Sequence, residues 1–258
     1  MSSEIKNLKV IILAAGKGTR FNSEEEQIPK AMRKAAHKPL LHYVLKSVDF
    51  IENKKDIVIV VGYLKEMITE TFPEYPFVIQ GEHYGYGTGA AVRYADEVIG
   101  DFSGDILVLL SDMPLITGDS LLNLYYEHKK NNNDCTYLSC EGNDDSALKS
   151  FGRIIRDKNG DFRGIIENRD CTPEQRKITE YNTGNAIFDS KKLFKQLANL
   201  KNNNKSGEYY LTDIPKLFME NNYRVGVCKT KNAYEIYGVS SAEDLELIEK
   251  ILESNSTK

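Results

Sequence analysis

Residues 10–30, VIILAAGKGTRFNSEEEQIPK, decide how the rest of the chain reads. Val10-Ile11-Ile12-Leu13 is a short β-branched apolar run, the pattern of a strand buried on both faces. It leads directly into Ala14-Ala15-Gly16-Lys17-Gly18-Thr19-Arg20, small residues with two glycines and two cations. Glycine lets a backbone turn sharply and present its N–H groups, and concave arrays of amides hold phosphate oxygens. Arg20 suits a bidentate grip on phosphate, and Lys30 a point-charge contact. Together they predict a phosphate site at the carboxyl end of a first strand. The glycine pair alone is equally the mark of an ordinary tight βα turn. Neither the Walker pattern nor G-x-G-x-x-G is met.

Working outward, 56–61 (DIVIVV), 77–80 (FVIQ) and 106–110 (ILVLL) read as further buried strands, with helical stretches at 39–48, 64–71 and 90–98. This alternation predicts right-handed βαβ units, hence an α/β fold with a Rossmann-like, mainly parallel sheet flanked by helices. Ligands bind such sheets beyond the carboxyl ends of strands. Arg20, Gln80 and Asp112 all lie at or just past such ends. Farther on, 121–130 reads as a helix and 135–139 as a strand, and 151–156 with 162–167 forms a hairpin turning at Asn159-Gly160. Helices at 190–197 and 214–221, a strand at 223–228 and a last helix reaching residue 253 complete the pattern. Thr212 or Asp213 can cap the helix that starts at 214.

Hydrophobic content of 41% and charged content of 28% are those of an ordinary globular protein. The formal net charge of −4 provides no basic footprint, so no nucleic-acid partner is expected. No run approaches the length of a membrane span and the first residues are polar, so we expect no membrane partner and a cytoplasmic location. Cys135, Cys140, Cys171 and Cys228 form no C-x-x-C pair and are expected as free thiols, not a disulfide framework or a zinc site. No repeat or linker divides residues 1–258, which points to a single domain.

The full string L-A-A-G-x-G-T-R followed by P-K resembles the signature of the sugar-1-phosphate nucleotidyltransferases. The resemblance implies a fold of the nucleotide-diphospho-sugar transferase type, in which this loop wraps a nucleoside triphosphate. Nucleotide-binding roles then fall on Leu13, Ala14, Ala15, Gly16, Gly18 and Thr19, and catalytic roles on Arg20 and Lys30. The spacer 22–27, with Glu24–Glu26, is longer and more acidic than that of the family. QGEHYGYGTGAA (80–91) reads by itself as a flexible βα loop but is similar to the base-recognition turn of the uridylyltransferase branch. That likeness implies uracil contacts from Gln80 and Gly87, with Thr88 beside them; the loop is lengthened, and His83 stands near the place of a second Gln. Ser111-Asp112-Met113-Pro114-Leu115 is similar to the family's D-x-P-L motif, whose Asp holds magnesium. A lone Asp after a strand is also a common turn former, yet one carboxylate plus phosphate oxygens and water suits that ion. Gly238-Val239-Ser240 is similar to the G-V-N segment, which implies Ser240 as second metal ligand where the family has Asn.

In the second half, Phe151-Gly152-Arg153-Ile154, Glu167 at the end of the next strand, Asp170 to Arg176 (DCTPEQR) and Glu180-Tyr181-Asn182-Thr183-Gly184 follow in an order that resembles the branch acting on N-acetylglucosamine-1-phosphate. By that resemblance Gly152, Glu167, Asn182 and Thr183 are sugar-binding, although Glu167 alone could be a surface carboxylate. GEYYLTD (207–213) fits the same branch. The chain is most similar to the uridylyltransferase (pyrophosphorylase) domain of the bacterial bifunctional enzymes, without the hexapeptide repeats of their acetyltransferase β-helix. The implied plan is a nucleotide-binding half (about 8–135) and a sugar-binding half (about 136–253) that carries the added β-hairpin. The implied activity is Mg2+-dependent in-line transfer from UTP to a sugar-1-phosphate, N-acetylglucosamine-1-phosphate foremost, with UTP and sugar-1-phosphate as the small-molecule partners. A cytidylyl or other hexose-1-phosphate nucleotidyltransferase, or a non-catalytic nucleotide-sugar-binding subunit, remains an alternative. No oligomeric state follows.

Overall fold

The computed structural model describes residues 5–16, 18, 27–142, 148 and 150–256. Its strands are β1 (Leu8–Ala14), the two-residue β2 (Lys34–Ala35) and β3 (Lys38–Pro39), β4 (Ile57–Val61), β5 (Phe77–Ile79), β6 (Asp105–Leu110), β7 (Cys135–Glu141), β8 (Arg153–Arg156), β9 (Phe162–Ile166), β10 (Glu180–Asp189) and β11 (Val225–Lys229). The main sheet runs β11-β7-β10-β6-β1-β4-β5, with the β8–β9 hairpin attached through β10. β1 lies parallel between β4 and β6, pairing Ile12 with Ile59 on one side and Leu109 on the other. β4–β5 and β7–β11 are also parallel, so the sheet is mixed and mostly parallel along this path.

The apolar run at residues 10–13 fills both faces, as its lack of alternation predicts. Val10 and Ile12 join one core layer with Leu41, Val44 and Leu45 of the helix Leu40–Ser47 and Leu121 and Leu124 of the helix Gly118–Lys130. Ile11 points the other way, into a layer with Val92, Leu193, Ile214 and Phe218 from the helices Thr88–Tyr94, Ser190–Leu197 and Ile214–Glu220. Every residue of β4 is buried; each such aliphatic side chain contributes about 1.5–3 kcal/mol relative to exposure. The helix expected at 90–98 is instead two, Thr88–Tyr94 and Asp96–Ile99. Among the described residues no helix is long and apolar enough to cross a membrane. All four cysteines are free and buried, and burial pushes the Cys140 thiol up to about 11.

The largest departure from the sequence reading is β10. Ten residues long, it is inserted antiparallel between β6 and β7, where only a motif was expected. Its polar centre, Asn182-Thr183-Gly184-Asn185, breaks the apolar pattern by which strands are recognised. Pairing with β7 shifts register between Asn182 and Ala186, and Gly184 takes φ +80° there. A bulge at a Gly in that region re-aims the strand and leaves backbone groups to be satisfied locally. Asn185 does this, its buried Oδ1 accepting from Leu110 N–H at 3.2 Å.

Candidate functional site

Asp112 follows β6, Gly16 follows β1, Gly62 follows β4 and Gln80 follows β5, so four strand ends present these residues along one edge of the sheet. They line a cavity of about 740 Å3 together with Leu13, Ala15, Lys30, Gly87 and Thr88. Adjacent strands stand about 4.8 Å apart, so the β6 and β5 ends of this edge are separated by roughly 14 Å. Ala14 is buried in the core and does not line the cavity. Gly18 is half-buried and does not line it either. Thr19, Arg20 and the Glu24–Glu26 run lie outside the described residues.

A second cavity of about 230 Å3 adjoins the first and shares Thr88, Leu110 and Asp112 with it. Gly152, Glu167, Asn182, Thr183 and Ser240 all line this second space. Of the residues named from sequence, Leu13, Ala15, Gly16, Lys30, Gln80 and Gly87 line the larger cavity and Gly152, Glu167, Asn182, Thr183 and Ser240 the smaller, with Thr88 and Asp112 on the common wall.

Local bonding explains how each group is held. Lys30 begins a short 3-10 turn anchored by buried Ala31 and Met32, and its ammonium donates to the Asp112 carboxylate. The Val239 N–H donates to the Asp112 carbonyl at 2.8 Å, which brings Ser240 beside the end of β6. Asp244 accepts the N–H groups of Ser240 and Ser241 and so tethers this segment to the helix Ala242–Ser256. Asn182 is buried, its N–H bonded to the Gly152 carbonyl at 2.9 Å and its Oδ1 accepting from Gly184 N–H. The Thr183 hydroxyl is taken up by backbone, donating to the Leu138 carbonyl and accepting from Asn185 N–H.

Thr212 and Asp213 do not cap the helix at 214 through their side chains. The Thr212 hydroxyl instead donates to Glu167 Oε1 at 2.8 Å. Burial raises the Glu167 carboxyl above its ordinary value; the Thr212 hydrogen bond opposes this, and the charges of Asp213, Asp170 and Glu208 add to it. Tyr137, buried behind the wall of this cavity, donates its hydroxyl to the Leu211 carbonyl at 2.7 Å. Thr212 and Tyr137 were not singled out from sequence, because one read as a cap and the other as strand core.

The glycines of the 85–89 turn have a packing reason of their own. Gly87 has φ +115°, and a Cβ there would stand 2.5 Å from the Tyr209 carbonyl oxygen. Gly89 N–H donates to that same carbonyl, Tyr209 N–H donates to the Tyr86 carbonyl, and Leu211 N–H donates to Thr88 Oγ1. Two backbone segments therefore cross in contact, which only glycine permits at these positions.

Asp112 and Ser240, both residues with hard oxygen donors, line the smaller cavity. Among the described residues no group of three or more His, Cys, Asp or Glu is arranged to hold a metal ion. A two-oxygen set still fits magnesium, which retains water and takes substrate phosphate oxygens as its other ligands.

Residues 10–213 match the MobA-like NTP transferase domain. The chain belongs to this family. Within the MobA-like NTP transferases it is 38% identical over 243 residues to the bifunctional protein GlmU of Streptococcus mutans serotype c, covering 94% of this chain and 51% of that protein. It is 37% identical over 249 residues to the GlmU of Streptococcus thermophilus strain LMD-9, covering 96% and 52%. The chain thus spans about half the length of the curated relatives it matches. Among solved structures, a UDP-glucose pyrophosphorylase complexed with UDP-glucose superimposes with TM-score 0.77 at 19% identity, covering 96% of this chain and 98% of that one. An apo UDP-glucose pyrophosphorylase gives 0.72 at 19% identity, with 96% and 99% covered. These two likenesses establish the fold, that of the nucleotide-diphospho-sugar transferases.

Proposed function

We propose that this NTP transferase joins UTP and a sugar-1-phosphate, N-acetylglucosamine-1-phosphate being the preferred acceptor, to give a UDP-sugar and pyrophosphate. The observation that carries the reading is the pair of adjoining cavities with Asp112 on their common wall. One has the glycine turn, Lys30 and Gln80, suited to a nucleoside triphosphate. The other adds the Asn182 amide, the Glu167 carboxylate and the hydroxyl-bearing Thr183 and Thr212 to the shared Asp112, a donor and acceptor set suited to sugar hydroxyls. Identity of 38% with the GlmU proteins across nearly the whole chain supports the choice of acceptor. On this reading residues 8–135 handle the nucleotide and 136–253 the sugar.

A phosphate oxygen of the sugar-1-phosphate forms a bond to the α-phosphorus of UTP while the bond from that phosphorus to the bridging oxygen breaks, and pyrophosphate leaves with the electron pair. The attacking oxygen is already anionic, so no general base is required. Catalysis is then positioning and charge neutralisation. Lys30 neutralises charge developing on the transferred phosphoryl group, with Arg20 as a second cation on the triphosphate. Gln80 and Gly87 orient the base, while Glu167, Asn182 and Gly152 orient the sugar. Asp112 and Ser240 would hold magnesium, which when bound supplies neutralisation of phosphate charge.

The test is pyrophosphate release with magnesium across four nucleoside triphosphates and a panel of sugar-1-phosphates. Strong signal confined to UTP and N-acetylglucosamine-1-phosphate is the expected result. Signal with a different base or hexose retains the chemistry and reassigns Gln80, His83 or Asn182. Folded protein that binds nucleotide but releases no pyrophosphate would turn the reading into that of a binding subunit.

A further inference from the structure

We infer that Tyr86 is the stacking platform for the nucleobase in the larger cavity; the inference rests on reading that cavity as the nucleotide site. Tyr86 lines it, yet the residue is 59% exposed. Its neighbour Tyr84 packs against the Tyr94 ring at 4.7 Å and carries the Arg93 guanidinium at 4.2 Å. Tyr86 takes part in no ring or cation–ring contact among the described residues, and with this exposure it is available to a planar ligand entering the cavity.

The backbone beneath this exposed ring is fixed. Tyr209 N–H donates to the Tyr86 carbonyl at 2.8 Å, and the flanking Gly85 and Gly87 hold positive φ of +74° and +115°. A tyrosine on an anchored backbone has only two side-chain torsions left to order, so offering its ring to a planar ligand has a small entropic cost. The chemistry of the cavity divides accordingly. Lys30, the one cation among the described lining residues, lies with Asp112 by β6, whereas the loop that carries Tyr86 supplies the neutral Gln80 amide and the Glu82 carboxylate beyond β5, and Glu208 lines the cavity too. An aromatic face beside an amide is the combination that reads a heterocyclic base, by stacking on its plane and hydrogen bonding at its edge. The span of roughly 14 Å between these ends suits a base at one and the phosphates at the other.

The chain has no tryptophan, so Y86W places a single indole at this position. Magnesium-UTP should quench its emission with the same half-saturation that calorimetry gives, whereas magnesium tripolyphosphate at saturation should not. Y86A should bind UTP about tenfold more weakly, the scale of one lost base–aromatic stack, with the KM for sugar-1-phosphate unchanged. Y86F should retain wild-type affinity. Equal UTP affinity in Y86A and wild type, or equal quenching by tripolyphosphate, would overturn the proposal while leaving the functional reading intact. A wild-type chain that binds no nucleotide by calorimetry would overturn both.

Discussion

The ammonium of Lys30 rests on the carboxylate of Asp112, two side chains 82 residues apart in sequence and each about one-fifth exposed. The proposed mechanism separates them, with Lys30 on phosphate and Asp112 on magnesium. In the structure the two charges satisfy each other, so a divalent cation at Asp112 has to compete with an ammonium. Lys30→Met should therefore bind Mn2+ about fivefold more tightly in the absence of nucleotide, as a half-buried pair is worth ~1 kcal/mol. The same variant should lose roughly two to three orders of magnitude in turnover, the scale of one transition-state donor. Electron paramagnetic resonance titration reads the first effect and steady-state pyrophosphate release the second. Unchanged Mn2+ affinity would show that the pair does not compete with metal.

Asn182 stands on the bulged part of β10, with its amide oxygen already accepting from Gly184 N–H. Asn182→Ala should raise the KM for the amino-sugar phosphate about threefold to tenfold through the loss of a neutral hydrogen bond. It should also reduce stability by ~1–2 kcal/mol, because the Gly184 N–H loses its partner. UTP affinity should stay at the wild-type level. A rise in the UTP KM equal to that for sugar would place Asn182 outside the sugar subsite.

Glu167 makes stability depend on pH with a definite sign. Burial raises its carboxyl above the ordinary 4.5, so the folded chain retains a proton that the unfolded chain has released. Stability contributed by the protonated form is present below 4.5 and is lost as pH rises through the folded value. Glu167→Gln preserves an acceptor for the Thr212 hydroxyl while removing this charge. Its Tm should exceed that of the wild type at pH 7, and the difference should shrink toward zero below pH 4.5. A Tm difference that does not vary with pH would exclude Glu167 as the source.

Gly87 meets the Tyr209 carbonyl where a side chain would have to be. Gly87→Ala combines a positive φ with a backbone clash, for which ~2 kcal/mol is expected, or a Tm decrease of roughly 4–8 °C. Gly160, at the tip of the β8–β9 hairpin with φ +86° and open space around it, is the control. Gly160→Ala pays for the conformation alone and should cost less. Equal losses at the two glycines would remove the crossing at Tyr209 as the cause.

Much of this architecture can be read from the chain before any fold is seen. β1, β4, β6 and β7 are apolar runs flanked by turn residues, and their spacing implies the helical crossovers. The residues around the two cavities are legible only through linear motifs, since Lys30 and Asp112, or Gly152 and Asn182, meet through tertiary contacts that no local pattern encodes. β10 escapes because the buried polar side chains that serve the smaller cavity also spoil its hydrophobic signature. Thr212 escapes because a threonine just before a helix reads as a cap, and its partner Glu167 lies 45 residues upstream. Tyr86 has no signal in sequence beyond its glycine neighbours; its backbone is fixed by the crossing with residues 209–211.

β10 has a further consequence for how the chain is made. It separates β6 from β7 although both precede it in sequence. As the chain emerges during synthesis, β6 has one edge open until residue 189 arrives, and Ile106 to Leu110 is the kind of bare apolar strand that pairs with other chains. Fragments ending before Glu180 should therefore aggregate, while those that include β10 and the helix Ser190–Leu197 should be far more soluble. The strand that lines the smaller cavity is thus also the piece on which the nascent chain must wait.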